Sequence, residues 1–325
     1  MSTWRKLRRR VLTPAVTETT LETRGFHVKS PQARDRLEAV GRSFLTGYAI
    51  AAEARRPADA EPVLDQLDAT RRGFAYEGAA MALAVMDALS PTGGDRVARF
   101  LRGEADRHVY MAYVGVGWAM ARVPAFRWST LHAPDPLLRW LVLDGYGFHQ
   151  AYFHTSRYVY ERYREATFRW PTDDRHGYAV RAIDQGIGRA MWFVAGTDAQ
   201  VLTRMLSRFP QERLPDLYAG AGLAAAYAGG ADRAELERFR RDAGPYRAEL
   251  AQGAAFAAGA RVRAGLVVPG HQTATEVLCG MTPAEAARVT DEALVDLPVD
   301  GDGEVPAYEL WRRRIREALV SLDPR

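Results

Sequence analysis

The stretch Asp184-Gln185-Gly186-Ile187-Gly188-Arg189-Ala190-Met191-Trp192-Phe193 sets two glycines one residue apart in an otherwise helix-compatible segment. Glycine inside a helix costs up to ~1 kcal/mol against alanine, so its repeated use there needs a reason. The same texture recurs at Gly47-Tyr48-Ala49, Gly78-Ala79-Ala80, Gly115-Val116-Gly117-Trp118-Ala119 and Gly145-Tyr146-Gly147. It continues at Gly220-Ala221-Gly222-Leu223-Ala224 and Gly253-Ala254-Ala255-Phe256-Ala257. Seven such segments, roughly thirty to forty residues apart, have the pitch of a helical-hairpin repeat. Their glycines serve either close helix–helix packing or an inner wall that leaves room for a bulky guest.

Working outward, strand signals are nearly absent, and the chain has no asparagine for an Asn-Gly hairpin turn. Helix starts are legible at Pro62-Val63-Leu64-Asp65-Gln66-Leu67, with Val63, Leu64 and Leu67 on one face, and at Thr282-Pro283-Ala284-Glu285, close to a capping box. Ser90-Pro91-Thr92-Gly93-Gly94 and Ala228-Gly229-Gly230 mark turns. Matches of Val63 with Val201, Gly78 with Gly220, Asp95 with Asp232 and Gly47 with Gly186 share an offset of about 140 residues, the mark of a duplication. The expectation is an all-α protein of helical-hairpin repeats in two duplicated halves, forming an α/α toroid or curved solenoid. A basic tail over 1–30, read most simply as flexible and solvated with contact to an anionic surface as the alternative, precedes a first half over 31–165 and a second over 166–294, and 295–325 form an extension with a helix.

Composition narrows the function. The 325 residues are 47% hydrophobic and 26% charged, enough apolar matter for a sizeable core and against wholesale disorder. Cys279 is the single cysteine, which excludes a disulfide framework and a cysteine-based metal site. The net charge is +4 and the pI about 9.2, yet lysine occurs only at Lys6 and Lys29, and the arginines are spread among carboxylates. Nucleic acid is therefore not an expected partner. No stretch reads as a transmembrane segment or signal peptide, and a cytoplasmic location is expected. No HExxH, Walker loop, dinucleotide fingerprint or nucleophile elbow occurs, so no metal and no cofactor are expected.

Charged residues on the small-residue helices are the candidate catalytic groups. Glu77 precedes Gly78, Asp144 precedes Gly145, and Asp184 opens the segment quoted first. Three carboxylates beside glycines and aromatics can converge on one cavity, where burial raises a carboxyl pKa and makes it a usable acid or base. The plainer roles are an Asp184–Arg189 ion pair and Asp144 as a helix cap. His149 and Arg189 complete the catalytic candidates. Tyr76, Trp118, Tyr146, Phe148, Tyr152 and Trp192, with Gln150 and Gln185, are the substrate-binding ones. Aromatics of this kind suit a polyene, and they suit an ordinary core as well.

The segments 74–81, 144–153 and 184–193, with the glycine-rich 218–230, resemble the unbL-type family of unknown function, encoded beside enediyne polyketide synthases in actinobacteria. The likeness runs from about Thr13 to Leu294. It implies a role in antibiotic biosynthesis, maturing a linear polyene into an enediyne core, with other proteins of that pathway as possible partners. The resulting expectation is an enediyne-biosynthesis accessory protein that binds, and cyclises or otherwise matures, a long apolar polyene by acid–base chemistry. An acid-initiated cyclase of an isoprenoid and a non-catalytic carrier or assembly partner are the alternatives.

Overall fold

A computed structural model describes residues 3–91, 93–175 and 177–322, so Thr92 of the Ser90–Gly94 turn and 323–325 of the C-terminal extension lie outside it. The described residues form an all-α protein without strands. The helices run α1 (Thr3–Leu12), α2 (Leu21–Arg24), α3 (Pro31–Glu53), α4 (Glu61–Leu64), α5 (Arg72–Leu89) and α6 (Arg96–Leu101). They continue as α7 (Val109–Met120), α8 (Trp140–Phe153), α9 (Ala179–Val194), α10 (Ala199–Leu206) and α11 (Leu214–Tyr227). The last are α12 (Arg233–Asp242), α13 (Arg247–Arg263), α14 (Pro269–Cys279), α15 (Pro283–Glu292) and α16 (Ala307–Leu322).

The seven small-residue segments lie in α3, α5, α7, α8, α9, α11 and α13, which pack side by side in that order. At each step the glycines explain why the neighbours come so close. A Cβ on Gly117 of α7 would stand below 3.0 Å from the Val142 carbonyl oxygen of α8, and one on Gly145 of α8 would strike the Val114 carbonyl of α7. The exchange repeats between Gly147 and Gly186, Gly188 and Gly220, and Gly222 and Gly253, each meeting a backbone carbonyl of the helix that carries its counterpart. Gly47 and Gly78 do the same for α3 and α5, while Gly115 meets the Glu77 carbonyl and Ala80. Residues i and i+2 point about 200° apart on a helix, so each Gly-x-Gly clears both flanks at once, one glycine for each neighbour. Helices at the ends of the row, α3 and α13, carry one such glycine each (Gly47 and Gly253).

The row curves back on itself. Tyr227 of α11 packs edge-on against Phe74 of α5 at 5.1 Å, and Arg261 of α13 donates to the carbonyls of Ala69 and Thr70 just ahead of α5. Shorter helices pack around the row, α6 against α5, α10 against α9, and α14 against α13.

Two local expectations change. Within the expected tail, residues 3–30 pack on the rest of the protein: Arg8 of α1 donates to the Ala52 and Ala54 carbonyls, Leu21 and Phe26 are buried, and Lys29 bonds Glu235 and the Gly230 carbonyl. Backbone carbonyls at the end of α3 capture the arginine that a sequence reading leaves in solvent. The Pro62 segment makes only one helical turn, with Leu64 buried and Val63 exposed, and the Glu61 carboxylate at its start accepts from the Glu104 N–H. The C-terminal helix is part of the core, since Tyr308, Trp311, Arg312 and Ile315 of α16 are buried. The capping box at Thr282 and Glu285 does form.

Gly188→Ala places a methyl against the Leu217 carbonyl and is expected to lower unfolding stability by ~1–3 kcal/mol. Gly270→Ala, where the new methyl meets nothing within 4 Å, serves as the control and leaves the urea midpoint near that of the parent. Equal midpoints for the two variants would contradict the close-packing account.

Candidate functional site

With both flanks of each row helix occupied, its side chains can point only to the inside or the outside of the curve. The position just before the first glycine and the position four later share the inner face. These positions are Glu77 and Met81 on α5, Val114 and Trp118 on α7, Asp144 and Phe148 on α8, and Gln185 and Arg189 on α9. Glu77, Met81, Trp118, Phe148 and Arg189 line one cavity of ≈ 60 Å³. Val114, Asp144 and Phe256 line a second of ≈ 40 Å³, and Arg189, Leu223 and Tyr227 stand on the wall of both.

The first cavity is a narrow aromatic cleft. Trp118 is its hub, with ring centroids 4.5 Å from Phe44, 5.2 Å from Phe148 and 5.6 Å from His149. Phe74, Tyr152 and Phe193 extend the apolar wall, and Pro14, Glu18 and Thr19 close one side.

Glu77 and His149, two of the titratable groups that line this cleft, are held under different forces. Glu77 is buried, and desolvation raises its pKa to about 7, with Arg189 and the Trp118 indole drawing it back only in part. Glu77 forms no ion pair among the described residues, so near neutrality it shares its time between acid and carboxylate. His149 is buried with neither ring nitrogen hydrogen-bonded among the described residues. Burial, reinforced by Arg122 and His154, lowers its pKa to about 3, so the imidazole is neutral.

Asp144 is held differently. Arg189 donates to one of its carboxylate oxygens and Gln185 Nε2 to the other at 2.8 Å. Gln185 also donates to the Tyr308 hydroxyl at 3.1 Å, which ties the wall between the cavities to α16. Asp144 lies inside α8, so it is not a helix cap.

The three carboxylates do not share one cavity. Glu77 lines the first and Asp144 the second, both interacting with Arg189, whereas Asp184 lies on the outer side of α9. There Asp184 pairs with Arg213 at 2.6 Å and Arg164 at 3.3 Å, and not with Arg189. Burial raises its pKa to about 6 against those two arginines, which leaves it ionised at neutral pH. The reason is register. Asp184 stands two positions before its first glycine, Glu77 and Asp144 only one, and a shift of one residue turns a side chain by about 100°. Gln185 occupies the equivalent inner place.

Several aromatic candidates also fall outside the cleft. Tyr76 stacks on His108 at 3.8 Å and bonds Asp65. Tyr146 and Gln150 bond each other on the outer face of α8. Trp192 is buried against Phe239 and donates to the Gly229 carbonyl. Trp118, Phe148 and Tyr152 do line the cleft, as do Phe44, Phe74 and Tyr227, which sequence reasoning passed over. The inner register would have pointed to Phe74, which sits one turn before Gly78 on the Glu77 face.

Residues 3–319 match the model of a family described as "Protein of unknown function (DUF1702)". The chain belongs to this DUF1702 family. No curated protein and no solved structure matches it. The family description carries no activity, so the chemistry of this DUF1702 protein has to be read from the cleft itself. Among the described residues no helix is long and apolar enough to cross a membrane.

Glu77 carries a testable pH signature. Its folded pKa of about 7 lies above the ordinary 4.5, so the folded form keeps a proton that the unfolded chain has lost. Stability from this group is full below pH 4.5 and falls as pH rises through 7, by up to about 3 kcal/mol. Glu77→Gln should flatten that decline in urea titrations between pH 5 and pH 8, and an unchanged decline would show that Glu77 is not its source.

Proposed function

We propose that this protein receives a long, apolar, unsaturated molecule in the aromatic cleft and that Glu77 moves a proton on it. One observation carries the reading: a buried carboxyl with a pKa of about 7 in a mainly aromatic and aliphatic cleft that also holds Arg189 and Arg122, across Trp118 from a neutral imidazole without hydrogen bonds. In water-poor surroundings such a carboxyl holds a proton at neutral pH and can release it without rearranging solvent. His149, neutral and held so by burial and Arg122, can orient a polar atom of the same guest without taking up its proton. Glu77 gives its proton to one carbon and its carboxylate takes a proton from another, so an isomerisation or cyclisation balances with no further reactant.

The shape of the site supports a slender guest. The cleft is narrow, its rings present flat faces to a conjugated chain, and a second apolar cavity continues beyond Arg189, Leu223 and Tyr227. The likeness of 74–81 and 144–153 to unbL-type proteins supports a particular source, a linear polyene made by an enediyne polyketide synthase. Asp144 and Arg189, which bond each other, act in this reading as the polar wall between the two cavities. Asp184 holds the fold together and takes no part in the chemistry.

Binding and chemistry are separable by experiment. The fluorescent tetraene cis-parinaric acid should bind the purified protein, and Trp118→Ala should weaken that binding by about tenfold or more through loss of the central ring. Glu77→Gln should still bind the probe yet fail to restore product in a strain lacking the gene. No probe binding by the parent protein would remove the cleft as a polyene site. Full restoration by Glu77→Gln would leave a carrier without proton transfer.

A further inference from the structure

Helix α1 reads Thr3-Trp4-Arg5-Lys6-Leu7-Arg8-Arg9-Arg10-Val11-Leu12, five cations and no acid. Its sides have different fates. Arg8 and Leu12 face the protein, the first donating to the Ala52 and Ala54 carbonyls and the second packing on the core. Arg9 pairs with Glu53 at 2.8 Å. Trp4, Leu7 and Val11, spaced three and four apart on one face, are 67%, 48% and 70% exposed. No residue of this helix is buried, so the most amphipathic segment near the cleft leaves its apolar ridge in solvent.

We infer that α1 is a docking helix for an anionic lipid bilayer. A short ridge of tryptophan, leucine and valine flanked by cations is the composition of a helix lying in the headgroup plane, with its apolar side among the acyl chains. Arg10 borders the ridge and Lys6, one turn before it, lies further round the helix; both are exposed, form no ion pair among the described residues and are available to lipid phosphates. Each basic residue at an anionic surface adds about 1 kcal/mol of attraction, which makes the positive balance of this helix more than a solubility device. Burial, then repulsion from Arg96 and Arg5, lowers the pKa of Arg8, and Glu53 compensates one of the five cations by pairing with Arg9. An acidic protein would satisfy the charges but would not call for an exposed tryptophan at the level of the headgroups.

The placement links this surface to the cleft. The chain leaving α1 runs at once into Pro14, Glu18 and Thr19, which form part of the cleft wall. Docking at α1 therefore brings the aromatic cavity next to the layer in which a long apolar molecule dissolves. The docking itself stands on α1 alone, whereas its use for delivering a guest rests on the polyene reading above.

The test is sedimentation of the full-length protein with vesicles of phosphatidylcholine and phosphatidylglycerol, against vesicles of phosphatidylcholine alone. The parent protein should sediment with the mixed vesicles and detach as salt is raised to about 0.5 M. Trp4→Ser with Leu7→Ser and Val11→Ser should cut the bound fraction by roughly an order of magnitude, and Lys6→Glu with Arg10→Glu should do so and abolish the preference for anionic lipid. Both variants should bind cis-parinaric acid from solution as the parent does, which separates loss of docking from loss of the cleft. Equal sedimentation of parent and variants, binding without lipid preference, or loss of probe binding by the serine variant would each overturn the inference.

Discussion

Between every two neighbouring row helices a glycine of one presses on a backbone carbonyl of the next. Such an approach leaves no space for a side chain on either flank and fixes the rotation of each helix about its own axis. Glycine costs helix stability, and close backbone packing with broad contact along each pair offsets it. The alternation of the two glycines, one toward each neighbour, is what lets the row continue through α7, α8, α9 and α11. Because rotation is fixed, the division of the remaining positions into inner and outer faces follows without further specification.

That division also sorts the buried charges. On the outer side Asp184 meets Arg213, and toward the C-terminal helix Asp216 and Glu309 meet Arg312 at 2.7 and 3.0 Å, with the Tyr178 hydroxyl bonded to both Glu309 and Arg312. On the inner side Asp144 meets Arg189. Each of these acids has an arginine that lowers the cost of burial, and removing either partner would strand the other. Glu77 stands apart, because its nearest compensation is the more distant Arg189, already engaged by Asp144. A carboxyl left this way takes up a proton at neutral pH, and that is the property an acid–base group in an apolar cleft requires.

Described segments near both ends of the chain pack on the curved row instead of trailing from it. The segment after α1 closes one side of the first cavity, and Trp311 of α16 closes part of the second. Arg312, fully buried, locks α16 to α11 through Asp216 and to α13 through Gln252. The cavities thus owe their walls to residues more than two hundred positions apart.

The helical character, the seven small-residue segments and the capping box at Thr282 are local properties, written in periodicity and in glycine and proline placement. They could be read from the sequence alone for that reason. The inner register was also present there: Glu77 and Asp144 directly precede a glycine while Asp184 does not. Its meaning, however, depends on knowing that both glycines face neighbouring helices, and no single segment carries that information. Which arginine meets which acid, why Tyr76 and Tyr146 turn away from the cleft, and that Phe44 and Tyr227 turn toward it were decided only by the tertiary structure. Those outcomes depend on distances between helices far apart in the chain, and backbone packing sets them before any side chain finds its partner.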